Sequence, residues 1–127
     1  EGLPHLERAA KQAPPARAAD AQAELRFAEA AQLHFQSVAD QIRFIMARDA
    51  LRKQDPALDA AQRQAQQDEV RAALNREIQT ARRLFTLAMQ DSRIGYEASN
   101  HYYYIPLDLV EKVLNCREIL ERQRGGE

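Results

Sequence analysis

The chain has 127 residues, with 18 basic and 19 acidic side chains that leave a formal net charge of −1. This length suffices for one domain with a hydrophobic core, and the balanced charge argues against the strong positive field of a non-specific nucleic-acid binder. No apolar run approaches the ~20 residues of a membrane span, so we expect no nucleic-acid or membrane partner.

Ala, Gln, Arg, Glu and Leu dominate the composition, with only four glycines and five prolines. Such a bias toward helix formers predicts an all-α fold. The chain begins with Glu1 rather than Met. We therefore expect residues 1–127 to form a single helical domain that is a fragment of a longer multidomain protein, whose localisation the sequence does not indicate.

The first half of the chain predicts two helices. A short helix over 3–12 ends before Pro14-Pro15, because proline fits the first turn of a following helix but not a helix interior. The second helix should run from about 17 to 53 and measure roughly 55 Å. Its apolar positions step by three and four, which predicts one buried stripe made of Ala28, Ala31, Phe35, Val38, Ile42 and Ile45.

Two more helices are predicted in the second half. Asp59 is a candidate N-cap for a helix that reaches about residue 90, and Pro106 with Asp108 starts the last helix. The stripe of the third helix is Val70, Leu74, Ile78, Ala81, Phe85 and Ala88, and that of the last is Leu109, Val113, Cys116 and Leu120.

These elements predict an antiparallel bundle of three main helices plus a short N-terminal helix. The Asp55-Pro56 corner and the 91–105 connection should lie at opposite ends of the bundle. Phe27, Leu33, Phe44 and Met46 widen the second helix's stripe, so that helix should touch more than one neighbour. The last helix, at roughly 27 Å, covers only about half the length of the long pair, which should leave some apolar surface for an outside partner. The predicted core comprises Phe35, Val38, Ile42, Leu74, Ile78, Phe85, Val113 and Leu120.

Metal and catalytic motifs are not found in the sequence. The histidines His5, His34 and His101 are far apart and form no His-x-x-x-His or Glu-x-x-His pair, so we expect no metal and no cofactor. The sequence contains no nucleophile elbow and no glycine-rich phosphate loop. Cys116, the single cysteine, lies on an apolar helix stripe, which favours a buried and inert thiol.

The most informative segment is 91–106, which contains all four tyrosines. Three consecutive tyrosines cannot all point into one small core in either a helix or a strand. Aromatic rings with polar tips suit sugars, while ordinary packing of the connection against the bundle or a neighbouring domain is the alternative. The candidate contact residues are Tyr96, Glu97, Asn100, His101, Tyr102, Tyr103 and Tyr104. For Asp91 and Arg93 we favour local capping over ligand contact.

Residues 91–104, followed by 106–116, resemble the C-terminal helical region of large bacterial glycoside-hydrolase-like proteins, described as α-glucuronidase-like. The resemblance is strongest over 82–121. It implies a barrel catalytic domain upstream of this chain that would carry the catalytic acids. It also implies that the tyrosine segment contacts that domain or its glycan.

From this resemblance we predict an accessory helical domain of a carbohydrate-active enzyme, with the catalytic domain of the same polypeptide and a glycan as partners. The chain alone should not be catalytic. The alternative is a standalone helical module whose aromatic connection docks a protein partner.

Overall fold

A computed structural model describes residues 2–53, 58–97, 101–102 and 105–125. The four helices are α1 (Leu3–Gln12), α2 (Ala18–Arg52), α3 (Ala60–Gln90) and α4 (Pro106–Gly125), and a short 3₁₀ turn (Pro15–Arg17) precedes α2. Between α3 and α4 lies a two-residue hairpin of β1 (Tyr96–Glu97) and β2 (His101–Tyr102). The predicted all-α bundle is confirmed. The predicted Asp55-Pro56 corner lies outside the described residues.

Local chemistry sets the helix ends close to the predicted positions. The Asp59 side chain accepts a hydrogen bond from the backbone N–H of Gln62 at 2.7 Å, and the Gln62 side chain accepts one from the backbone N–H of Asp59 at 2.9 Å. This reciprocal pair is a capping box, which satisfies donors that the first helical turn leaves free. At α4, the Asp108 carboxylate accepts from the backbone N–H of Ile105 at 2.8 Å.

The three long helices form two antiparallel pairs. Glu29 and Ser37 of α2 contact Arg83 and Glu77 of α3, so residue numbers rise on one helix as they fall on the other. Helix α4 packs on α3 in the same antiparallel sense, while every described Cα atom of α2 lies more than 8 Å from those of α4. The bundle is therefore open between α2 and α4, and α1 packs against α2 alone.

The hydrophobic core consists of two separate clusters. The first cluster lies where α3 ends and α4 begins, and the second lies toward the start of α3. Val113 of α4 packs against both. The buried members of the first are Ala30, Ala81, Leu84, Leu87, Ala88, Ile94 and Leu109, and those of the second are Ala47, Val70, Leu74, Ile78 and Cys116.

The predicted buried stripes of α3 and α4 are largely correct. Val70, Leu74, Ile78, Ala81 and Ala88 are buried. Leu109 and Cys116 of α4 are buried as well. The remaining members are half-buried against the two clusters, namely Phe85, Val113 and Leu120.

The predicted stripe of α2 is wrong. Phe35 is 71% exposed and Ile42 is 54% exposed, and Val38 also lies at the surface. The side of α2 that faces α3 instead carries Ala30, Leu33, Ser37, Asp40, Phe44, Ala47 and Leu51.

Two stripes on α2 share the same spacing, which explains the error. Steps of three and four fit positions 30, 33, 37, 40, 44, 47 and 51 as well as they fit 28, 31, 35, 38, 42 and 45. The more apolar of the two stripes faces solvent. The less apolar one faces inward, because side chains of α3 and α4 form hydrogen bonds with its Ser37 and Asp40. Hydrophobicity alone therefore selects the wrong side of this helix.

Two alanine substitutions can distinguish a buried position from an exposed one by their effects on stability. Leu74→Ala should lower the free energy of unfolding by about 2–5 kcal/mol, because it empties space in the second cluster. Ile42→Ala should change it by only about 0.5 kcal/mol, as surface substitutions do, when this variant and the wild type are compared at a chain concentration low enough to keep them monomeric. Urea denaturation of both variants measures the difference. Equal losses would show that Ile42 belongs to the core.

Candidate functional site

A layer of buried polar side chains separates the two apolar clusters. Ser37 and Asp40 of α2 and Glu77 and Thr80 of α3 all lie in the interior. We call these four residues, with Lys112 of α4, the polar layer. Buried polar groups cost free energy unless they are hydrogen-bonded, so the contacts of this layer decide how the helices meet.

One carboxylate oxygen joins all three long helices. Oε1 of Glu77 accepts a hydrogen bond from Oγ of Ser37 at 2.6 Å and from Nζ of Lys112 at 2.5 Å. Lys112 also donates to Oγ of Ser37 at 3.1 Å, and Gln41 donates to the same hydroxyl at 3.2 Å. Lys112 thereby bridges the opening between α2 and α4, where the two backbones do not meet.

The other carboxylate oxygen of Glu77 has no hydrogen-bond partner among the described residues, although it is buried. Glu77 lines a cavity of about 300 Å³ between α2 and α4, whose walls also include Phe44, Leu74, Cys116 and Ile119. An unpaired buried acceptor costs about 1–3 kcal/mol. The cavity can therefore hold a group that donates a hydrogen bond, such as an ordered water.

Asp40 forms the second half of the polar layer, and its side chain is only 1% exposed. Its carboxylate accepts hydrogen bonds from Gln36 at 2.9 Å, from Arg76 at 2.7 Å and from Arg43 at 3.1 Å. Burial alone raises the pKa of Asp40, but the three hydrogen bonds and the charge of Arg76 together lower the pKa below its usual value. Asp40 is thus held as a charged, fully partnered group.

The single thiol is buried as predicted. Cys116 lies in the second cluster. Burial, together with the negative charge of nearby Glu77, raises the pKa of this thiol, and Lys112 only partly opposes that effect. A raised pKa reduces the thiolate fraction, so Cys116 is a poor nucleophile in this setting.

The outer face of α2 is an extended apolar feature at the surface of the described residues. We define it by six large, exposed side chains: Phe27, Phe35, Val38, Ile42, Ile45 and Met46. Phe35 and Met46 are the most exposed, at 71% and 68%. Between positions 27 and 46 this side of the helix carries no Asp, Glu, Lys or Arg, whereas Glu24, Arg48, Asp49 and Arg52 occupy the same helical positions toward its two ends.

The structure describes only part of the predicted tyrosine site. Tyr96 is 54% exposed. The hairpin register places Tyr96 opposite Tyr102 and Glu97 opposite His101, which brings these four backbone positions together. The other three predicted contact residues, Asn100, Tyr103 and Tyr104, lie outside the described residues.

Asp91 and Arg93 form a local turn, as expected. The Asp91 carboxylate accepts from the backbone N–H of Arg93 at 3.0 Å and from its guanidinium at 2.9 and 2.7 Å. These hydrogen bonds hold the pKa of Asp91 at about 2. Gly95 follows with a φ of 86°, a left-handed conformation that glycine adopts without strain.

Among the described residues, no group of three or more His, Cys, Asp or Glu side chains is arranged to hold a metal ion. The partly buried His34 packs edge-on against Phe35, with ring centroids 5.9 Å apart. None of the described helices is both long and apolar enough to cross a membrane.

Sequence reasoning missed the polar layer. Ser37 and Asp40 occupy the centre of the alternative stripe on α2, and this placement was the available signal. Glu77 and Lys112, the partners of Ser37, lie 40 and 75 residues from it, and Arg76, a partner of Asp40, lies 36 residues from Asp40. Only the folded arrangement brings them together.

Comparison with known proteins gives no match to a family model, and neither a curated protein nor a solved structure is significantly similar to this chain.

The Asp40 network should make stability depend on pH. Because the pKa of Asp40 is lower in the folded chain, its contribution is complete above the unfolded value of about 4 and is lost as pH falls through the folded value. At pH 7, Asp40→Asn should therefore lower the free energy of unfolding by roughly 1–3 kcal/mol. This difference in the free energy of unfolding between the wild type and Asp40→Asn should be smaller at pH 3. Urea denaturation of both proteins at pH 3 and pH 7 provides the measurement.

Asp68→Asn is the matched control, because Asp68 is an exposed aspartate on α3. This substitution should change stability by about 0.5 kcal/mol or less. If Asp40→Asn lowers the free energy of unfolding by the same amount at pH 3 and at pH 7, Asp40 is not a charged, hydrogen-bonded group.

Proposed function

We propose that this chain is a helical protein-association module that binds another protein surface through the outer face of α2. The observation that supports this function is the combination of six exposed, large apolar side chains with no charge between positions 27 and 46 on one side of α2. Contiguous apolar patches of this size on soluble proteins mark interaction sites. Isolated exposed apolar residues are ordinary, but here they follow one another along a single helix.

The fold leaves this face accessible. The backbone of α4 packs closely on α3, and α4 meets α2 only through side chains such as Lys112 on Ser37. Helix α1, with ten residues, measures about 15 Å and can cover only a part of α2, which measures about 52 Å. The side of α2 that faces the bundle is already held by Ser37 and Asp40, so the helix cannot rotate its apolar face inward without breaking those contacts.

Substitution of the outer face tests this function. A tagged chain carrying Ile42→Glu should lose the proteins that the wild-type chain retains from its own cells, because a charge at the centre of the face cannot be buried without a partner. Its helical circular dichroism at ambient temperature should stay near that of the wild type. Quantitative mass spectrometry of the retained proteins provides the measurement.

Leu114→Glu on α4 is the matched control, because Leu114 is 57% exposed and Ile42 is 54% exposed. This variant should retain the wild-type set of proteins. If Ile42→Glu also retains that set unchanged, the outer face of α2 is not the association surface.

A second candidate function is an accessory domain of a carbohydrate-active enzyme. The resemblance of the tyrosine segment to glycoside-hydrolase-like proteins suggests this function, and the exposure of Tyr96 supports it. In that function, the hairpin contacts the catalytic domain or its glycan. An exposed aromatic ring with a polar tip is suited to either contact.

The second candidate predicts an effect on binding without a large effect on folding. Tyr96→Ala should lower the free energy of unfolding by about 1 kcal/mol or less. In the longer enzyme, the same change should reduce glycan turnover, whereas Tyr96→Phe should retain the ring and most of the activity. Turnover that is unaffected by Tyr96→Ala would exclude this residue from the contact.

A further inference from the structure

The outer face of α2 repeats with the period of a coiled-coil seam. Four of its residues, Phe35, Val38, Ile42 and Ile45, continue the alternate steps of three and four that begin on the same side of the helix at Ala28 and Ala31. This spacing places knobs of one helix into holes of a second helix that lies alongside. The face therefore fits a helix of matching period.

The residues that flank this seam carry no charge. Gln32, Ala39 and Met46 lie on one side of it. Phe27, His34 and Gln41 lie on the other. In coiled coils, charged residues at flanking positions select the partner and its orientation. Between positions 27 and 46 the neutral flank of α2 therefore adds no repulsion between two identical faces. Charges lie at its border, where Asp108 and Lys112 of α4 line a cavity with Val38, and at the end of the pair, where antiparallel packing places Glu24 opposite Asp49.

The exposed area is large enough for a pair of copies. At roughly 150–200 Å² per large apolar side chain, the exposed fractions of the six residues amount to at most about 500–670 Å² on each copy. Two copies would bury at most about 1,000–1,340 Å² in total, which passes the roughly 1,000 Å² that a biological interface should exceed and lies at the lower end of the range for specific interfaces.

Side-chain volume selects the orientation of the two helices. The N-terminal end of the seam is small, with Ala28 and Ala31, and the C-terminal end is large, with Ile42 and Ile45. A parallel pair would place alanine on alanine at one end and isoleucine on isoleucine at the other. An antiparallel pair centred on the seam places Ala28 beside Ile45, Ala31 beside Ile42 and Phe35 beside Val38, which gives an even separation and few voids.

We propose that two copies of this chain form an antiparallel homodimer through the outer face of α2, about a two-fold axis that crosses the helix near positions 36 and 37. This inference rests on the proposed association function and names the partner as a second copy. A two-fold interface is self-complementary, so each residue contributes to it twice.

Sedimentation equilibrium of the purified chain tests the dimer. The wild-type chain should be dimeric at 100 µM, and Ile42→Asp should weaken dimerisation by about 100-fold or more, because each dimer then buries two unpaired charges. Leu114→Asp on α4 should remain dimeric. Circular dichroism of the three proteins should be equally helical. A monomeric wild-type chain, or a dimer that survives Ile42→Asp, would overturn the proposal.

Disulfide cross-linking tests the orientation. A mixture of an Ala31→Cys chain and an Ile42→Cys chain should give the mixed 31–42 cross-link under mild oxidation. Chains with Ala31→Cys alone should not cross-link, because the two thiols would be eleven residues apart along the seam, or roughly 16 Å. The native Cys116 is buried and should react slowly. Efficient 31–31 cross-linking would overturn the antiparallel arrangement.

The two proposals fail in different ways. If the wild-type chain is monomeric but Ile42→Glu still abolishes retention of another protein, the homodimer is wrong and the association function stands. If the chain is monomeric and Ile42→Glu changes no retained protein, both are wrong.

Discussion

The arrangement of the three long helices depends on the hydrogen bonds that the carboxylate of Glu77 accepts. It accepts hydrogen bonds from a hydroxyl on α2 and an ammonium on α4 through a single oxygen, at 2.6 and 2.5 Å. A buried charge without partners is far more costly than a surface charge. Any rotation or sliding of α2 or α4 relative to α3 would separate Glu77 from these donors, so the polar layer fixes one register.

That register determines which side of α2 reaches solvent. With Ser37 and Asp40 held inward by Glu77 and Arg76, positions 35, 38, 42 and 45 point away from α3. The same contacts hold α4 against α3, while Lys112 of α4 donates a hydrogen bond to Ser37 of α2. The cavity between α2 and α4 and the exposed outer face of α2 are both consequences of this arrangement.

The sequence predicted the features that depend on neighbouring residues. Helix ends followed from Pro14-Pro15, the Asp59 cap and Pro106, because breakers and caps act within one turn. The buried stripe of α3 was also predictable, since that helix carries a single strongly apolar stripe. On α2 two stripes compete, and the choice depends on Glu77, Arg76 and Lys112, which are distant in the chain. The backbone pairing of Tyr96 with Tyr102 was not predicted either, because two-residue strands leave no periodic pattern.

The polar layer that fixes the helix register also accounts for the surface to which we assign the association function. A module that associates through a helix needs a face kept out of its own core, and the polar layer keeps the most apolar side of α2 at the surface. The sugar-enzyme hypothesis rests on different residues, in the hairpin at the far end of α3, so the two can be tested separately.

A double-mutant cycle between Glu77 and Lys112 tests the central claim most directly. Glu77→Gln, Lys112→Met and the double variant would be compared with the wild type by urea denaturation. If the ion pair fixes the register, the two losses should be non-additive by about 1–3 kcal/mol, with the double variant more stable than the sum of the single losses predicts. Losses that add to within about 0.5 kcal/mol would contradict the account.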